Sequence, residues 1–309
     1  MSDSGTTNAS ECAAKDDGGG AEWTSIGSES FSRMLAVLAR IVLLGNEDEL
    51  MPPLDDMPPF LASPSPAGTD SLRSSLRVQV TETLATLREV VLMPRDLVPV
   101  MPEQLQHEDD VVVLVHGFFA SAGVWRPMKR TLVEHTGAKV ASFTHAPGVG
   151  IDRIARSLGK IVERLPTSCR VHLVGHSLGG LVSRWYVQEL GGHARVTQTI
   201  SLGSPFGGTA RAHPFPFLVG RELGRASPLL ARLRARAHEH DVPHTSIVGQ
   251  RDLVVIPGES AVFPRGDVVV LPHCGHNTLL FHTESISRVV ERVRLVQQDA
   301  RRTRLAVAG

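Results

Sequence analysis

Val171-His-Leu-Val-Gly-His-Ser-Leu-Gly-Gly180 is the stretch on which the reading of this chain turns. Residues 171–174 are mostly apolar β-formers, as a buried strand requires. Gly175-His176-Ser177-Leu178-Gly179 then follows the pattern G-x-S-x-G, and a helical pattern opens at once. Strand, tight turn and helix are together the setting of a nucleophile elbow. The turn brings strand and helix so close that a Cβ two residues either side of the serine would clash, which accounts for both glycines. Ser177 itself is expected in strained backbone, costing on the order of 1–3 kcal/mol. The strain lifts its Oγ above the sheet, at the positive end of the following helix.

Outward from the elbow, the pattern alternates. Strands are expected over 111–115, 140–143, 196–202, 245–248 and 267–271. Helices are expected over 125–135, 151–165, 178–190 and 284–297. Strands separated by helices through short connections predict an α/β fold, a mostly parallel sheet with helices on both faces. One connection, 205–242, is long and holds Phe206, Phe215, Phe217, Leu218 and Val219. An insertion of that length predicts a lid or cap. The catalytic domain is read as 106–309.

The first hundred residues differ in character. Residues 1–30 are rich in Ser, Gly and acid and read as a disordered tail. Phe31, Met34, Leu35, Leu38, Ile41 and Val42 recur at helical spacing. Docking on the catalytic domain is the first reading of that 31–44 helix, and membrane-surface contact the second. Six prolines between 51 and 69 mark a linker, so 31–105 reads as a helical extension with a Pro-rich strap. Thr69-Asp70-Ser71 caps a second helix with Leu72, Leu76, Val80, Leu84, Leu87 and Val91 along one stripe, and Pro94 ends it.

Composition narrows the chemistry. A formal net charge of zero gives no reason to expect a nucleic-acid partner. Three widely spaced cysteines suggest neither a disulfide framework nor a metal site. No basic segment followed by an apolar core stands at the N-terminus, which makes a cytoplasmic location the default.

A serine hydroxyl is a poor nucleophile at neutral pH and needs a base, an orienting acid and donors for the oxyanion. Loops at the carboxyl ends of the strands are where to look. Asp252, on the loop after 245–248, is the candidate acid, with Glu259 and Asp267 as rivals. His276, after 267–271 and beside Gly275, is the candidate base, with His273 as runner-up. The backbone N–H groups of Leu178 and Phe118 are the candidate oxyanion donors. His116 reads as structural. Phe119, Phe206, Phe215 and Phe217 are the candidate substrate-binding side chains, and no metal or organic cofactor is needed.

Five blocks in order carry a resemblance. They are 111–118 (Val-Val-Val-Leu-Val-His-Gly-Phe), 174–186 around the elbow, Ser201-Leu-Gly-Ser-Pro-Phe-Gly-Gly-Thr209, Gly249-Gln-Arg-Asp-Leu-Val254 and Gly275-His-Asn-Thr-Leu-Leu280. Over about 108–295 the chain resembles bacterial lipases and esterases of the α/β-hydrolase superfamily. The resemblance implies a serine hydrolase acting on carboxylic esters, acyl lipids included. An acyltransferase, a thioesterase, or a non-catalytic module on the same fold stand as alternatives.

Overall fold

The computed structural model describes residues 69–212 and 218–308. The tail, the 31–44 helix, the Pro-rich strap, Phe215 and Phe217 lie outside them. Six strands form the sheet: β1 (Asp110–Val115), β2 (Lys139–Phe143), β3 (Arg170–His176), β4 (Val196–Leu202), β5 (His244–Gly249) and β6 (Asp267–Leu271). All pairings are parallel, in the order β2-β1-β3-β4-β5-β6. The chain runs outward from β1 to β2 and then returns to β3 on the other side of β1. The order therefore reverses between β1 and β3, where an open parallel sheet leaves a crevice at its carboxyl edge.

The helices are α1 (Thr69–Leu92), α2 (Arg126–Thr136), α3 (Ile151–Glu163), α4 (Leu178–Glu189), α5 (Leu218–Leu223), α6 (Pro228–Ala235), α7 (Thr278–Phe281) and α8 (Thr283–Ala308). Side chains alternate across the strands, so β1 feeds two cores. Val111, Val113 and Val115 pack with Ile154, Leu158 and Val162 of α3 and Leu181 and Val182 of α4. Val112 and Leu114 pack with Met128 and Leu132 of α2 and Val289 and Val293 of α8. Burial on both faces explains the unbroken apolar run at 111–115.

Two segments depart from expectation. The described residues of the insertion 205–242 pack into the core rather than standing free: Phe206, Ala212, Leu223, Leu230, Leu233 and Ala237 are all buried in it. Glu222 of α5 also accepts the Ile151 N–H at 2.8 Å, pinning the insertion to the start of α3. The second departure is α1. Its apolar stripe faces outward, with Leu84 43 %, Leu87 58 % and Val91 61 % exposed, while Val78, Ala85 and Glu89 are buried. The face turned to the domain includes carboxylates, for a reason that lies in the site.

Candidate active site

β3 ends at His176, and Ser177 opens α4 with φ 51° and ψ −117°. A non-glycine residue in this region is costly and persists only where its surroundings over-determine it. A Cβ on Gly179 would run into the Val115 carbonyl oxygen, and one on Gly175 into the backbone of Gly179 and Gly180. The Ser177 N–H donates to the Leu202 carbonyl at 2.9 Å, tying the turn to β4. The elbow read from the sequence is the geometry found.

The loop after β5 carries Asp252 and the loop after β6 carries His276, and the two side chains meet. His276 Nδ1–H donates to Asp252 Oδ2 at 2.7 Å, with the two side chains 6 % and 1 % exposed. Asp252 Oδ1 accepts the N–H groups of Val254 and Val255, each at 2.8 Å. Burial alone would raise the Asp252 pKa. The facing His276, its hydrogen bond and the two amides outweigh burial and hold the carboxyl below the ordinary aspartate value. Burial likewise works against the charged form of His276. Asp252, joined by Glu82 and Glu89, outweighs it, and the imidazole pKa lies above its ordinary value. Occupying Nδ1 in this way leaves Nε2 as the nitrogen without a proton in the neutral ring.

The loops are locked to one another. Arg251 N–H donates to the Cys274 carbonyl at 3.1 Å, joining the Asp252 loop to the His276 loop. Gly203, after β4, has φ 58°, and a Cβ there would lie 3.1 Å from Asp252 Oδ2 and 3.2 Å from His276 Nδ1. The 201–209 block has its own task. Thr209 Oγ1 donates to the Val254 carbonyl at 2.5 Å, bracing the loop that holds Asp252. His176 joins Ser177 to the His276 loop: its Nε2–H donates to the His276 carbonyl at 3.1 Å, and the rings sit 4.7 Å apart. Burial, with His276 opposite, pushes the His176 pKa down to about 3, so it is a neutral link.

On the other side of Ser177 stands the turn after β1. A Cβ on Gly117 would lie 3.2 Å from the Ser177 Cβ, so the backbone leading to Phe118 runs directly past the serine. His116 Nδ1–H donates to the Gly117 carbonyl at 2.8 Å, and Nε2 accepts the His145 N–H at 3.0 Å. That fixes the turn and gives His116 the structural part expected of it. Phe118 and Phe119 are half-buried with ring centroids 3.8 Å apart, and Phe119 has φ 60°.

The rivals fall elsewhere. Glu259 and His273 are exposed, and Asp267 is exposed in an ion pair with Arg292 at 2.5 Å. Phe206 must be corrected as a pocket residue. It is fully buried in the core, edge-on to His244 and Phe263. Among the described residues no group of three or more His, Cys, Asp or Glu could hold a metal ion. No described helix is long and apolar enough to cross a membrane.

Residues 105–227 match the family described as "Putative serine esterase (DUF676)". The solved structure of the mature lipase BlEst2 of Bacillus licheniformis aligns with 63 % of this chain and 97 % of its own, at 14 % identity and a TM-score of 0.52. Its propeptide form aligns with 62 % of this chain and 53 % of its own, at 15 % identity and the same TM-score. The fold is that of the α/β-hydrolases. No curated protein matches the sequence. Within this fold, sequence reasoning missed what α1 does. Glu82 accepts hydrogen bonds from Asn277 and Thr278, which follow His276, and Glu89 is buried within electrostatic reach of His276. Nothing near residues 82 and 89 announces this, because the partners lie some 195 positions away.

Proposed function

We propose that this α/β-hydrolase cleaves carboxylic esters, acyl lipids among them, through an acyl-enzyme on Ser177. The observation that carries the reading is the strained serine turn with a buried, hydrogen-bonded Asp252–His276 pair beside it. In that reading the Ser177 Oγ attacks the ester carbonyl while His276 Nε2 takes its proton and returns it to the leaving alcohol. Asp252 holds the Nδ1–H tautomer and stabilises the imidazolium as it forms. The amides of Leu178 and Phe118 receive the oxyanion, aided by the start of α4. Water, activated by His276, then releases the acid and restores Ser177. The half-buried Phe118–Phe119 pair offers an apolar wall for an acyl chain.

The test is a p-nitrophenyl ester series from acetate to palmitate, with the wild-type chain and Ser177→Ala. Each methylene buried in an apolar channel is worth about 0.8 kcal/mol, so kcat/KM should climb with chain length until the channel fills. Ser177→Ala should abolish turnover across the series. Retained turnover would refute the mechanism, and a preference for acetate with steady decline past butyrate would refute the lipid substrate.

A further inference from the structure

The N-terminal helix α1 touches the domain at a telling place. Glu82 Oε1 accepts the Asn277 N–H at 2.5 Å, and Oε2 accepts the Thr278 N–H at 3.0 Å and the Thr278 hydroxyl at 2.7 Å. These donors immediately follow His276. One turn along α1, Thr86 Oγ1 accepts from Asn277 Nδ2 at 3.0 Å, and the Arg88 guanidinium lies 4.9 Å above the Phe281 ring. The loop closes directly on the carboxylate: a Cβ on Gly275 would lie 2.8 Å from Glu82 Cδ. The short helix α7 begins at Thr278, and the Asn277 side chain does not cap it. The first N–H groups of any helix need outside acceptors, and here α1 supplies them.

We infer that Glu82 is a positioning residue for His276, clamping the base loop and supporting the imidazolium that forms during turnover. The inference rests on the serine-hydrolase reading above. The groups facing His276 are Asp252 from the loop after β5, His176 from the end of β3, and Glu82 and Glu89 from α1. Asp252 orients the ring from Nδ1, whereas Glu82 holds the backbone on which the ring is mounted. The stretch 69–92 is then part of the machinery rather than an accessory. It also explains why α1 turns a carboxylate-bearing face inward and leaves Leu84, Leu87 and Val91 outside.

The experiment measures Ser177 labelling by a fluorophosphonate, and hydrolysis of p-nitrophenyl butyrate, from pH 5 to 9 in the full chain. Glu82→Gln keeps the shape and removes the negative charge. Its plateau rate should fall between about ten- and a hundredfold, as for an ångström-scale misplacement of a reacting group. Its acid limb should move to lower pH, because a charge that favours the imidazolium is gone. Glu82→Asp keeps the charge on a shorter arm, so its rate should fall while its limb stays near that of the wild type. A limb for Glu82→Gln that coincides with the wild type overturns the inference, since a purely structural cap would not move it. Should Glu82→Gln fail to fold, Glu82→Asp decides, and a wild-type rate there overturns the inference. A wild-type chain that takes no label at Ser177 overturns the hydrolase reading and this inference together.

Discussion

Glu89 sits 9 % exposed on the inner face of α1, and burial pushes its carboxyl pKa from 4.5 up to about 8, with Glu82 adding to the rise and His276 opposing it. A folded pKa above the unfolded one means that the native chain binds more protons than the unfolded chain between those two values. Stability therefore falls as pH rises through that window, by about 1.4 kcal/mol for each pH step. From pH 4.5 to 8 the accumulated loss approaches about 5 kcal/mol, comparable with the whole stability of a small domain. Glu89→Gln is nearly isosteric with the protonated acid and cannot ionise. Wild type and variant should differ by less than about 1 kcal/mol at pH 5, and the variant should be more stable at pH 9 by several kcal/mol. The gap should open steadily between pH 5 and 8 and then level. Urea unfolding followed by tryptophan fluorescence at one-unit pH steps reads it directly. A gap that stays constant across that range would refute the reasoning, because it would show that Glu89 ionises as easily folded as unfolded.

Two further outcomes follow from the site. Asp252→Asn should lower kcat by roughly 10⁴-fold with the fold and the probe's access to Ser177 intact, since it disturbs tautomer and charge rather than shape. Glu259→Gln and Asp267→Asn should be near neutral; a large loss at either, with Asp252→Asn mild, would reassign the acid. Gly179→Ala places a methyl on the Val115 carbonyl oxygen and should cost about 1–3 kcal/mol or more, together with Ser177 labelling. Gly137→Ala, in open space at φ 67°, should cost about 1 kcal/mol and leave labelling unchanged, with thermal melts separating the two. A Gly179→Ala chain as stable and reactive as the wild type would mean that the elbow is not packed as described.

Local order decided what could be read ahead of the structure. Both faces of β1 are buried, so 111–115 reads as strand from its unbroken valines and leucine, and α3 reads as helix from apolar residues at spacings of three and four. A parallel sheet delivers its loops to one edge, and that, with Gly275 and the chain order serine, aspartate, histidine, made Asp252 and His276 the candidates. The sense of α1 was not legible in this way. Counting apolar residues picks the stripe through Leu84, Leu87 and Val91, whereas the face turned inward carries Glu82, which satisfies backbone donors from a loop near the other end of the chain. No local pattern encodes such a long-range hydrogen bond. Phe206 misled for a related reason: an aromatic residue beside an active-site strand serves a pocket or a core, and only its neighbours His244 and Phe263 distinguish them.

The clamp between residues 82 and 277 has a consequence in time as well as in space. Its two halves are 195 positions apart, so α1 leaves the ribosome long before the loop that it grips has been translated. At common synthesis rates of about 5–20 residues per second, that interval is roughly 10–40 s. Throughout it, strands β1 to β5 and the serine turn can assemble in sequence, while Glu82 has no partner to hold. The contact forms only when residue 277 has followed residue 82 out, and the first described helix then closes over the loop after β6.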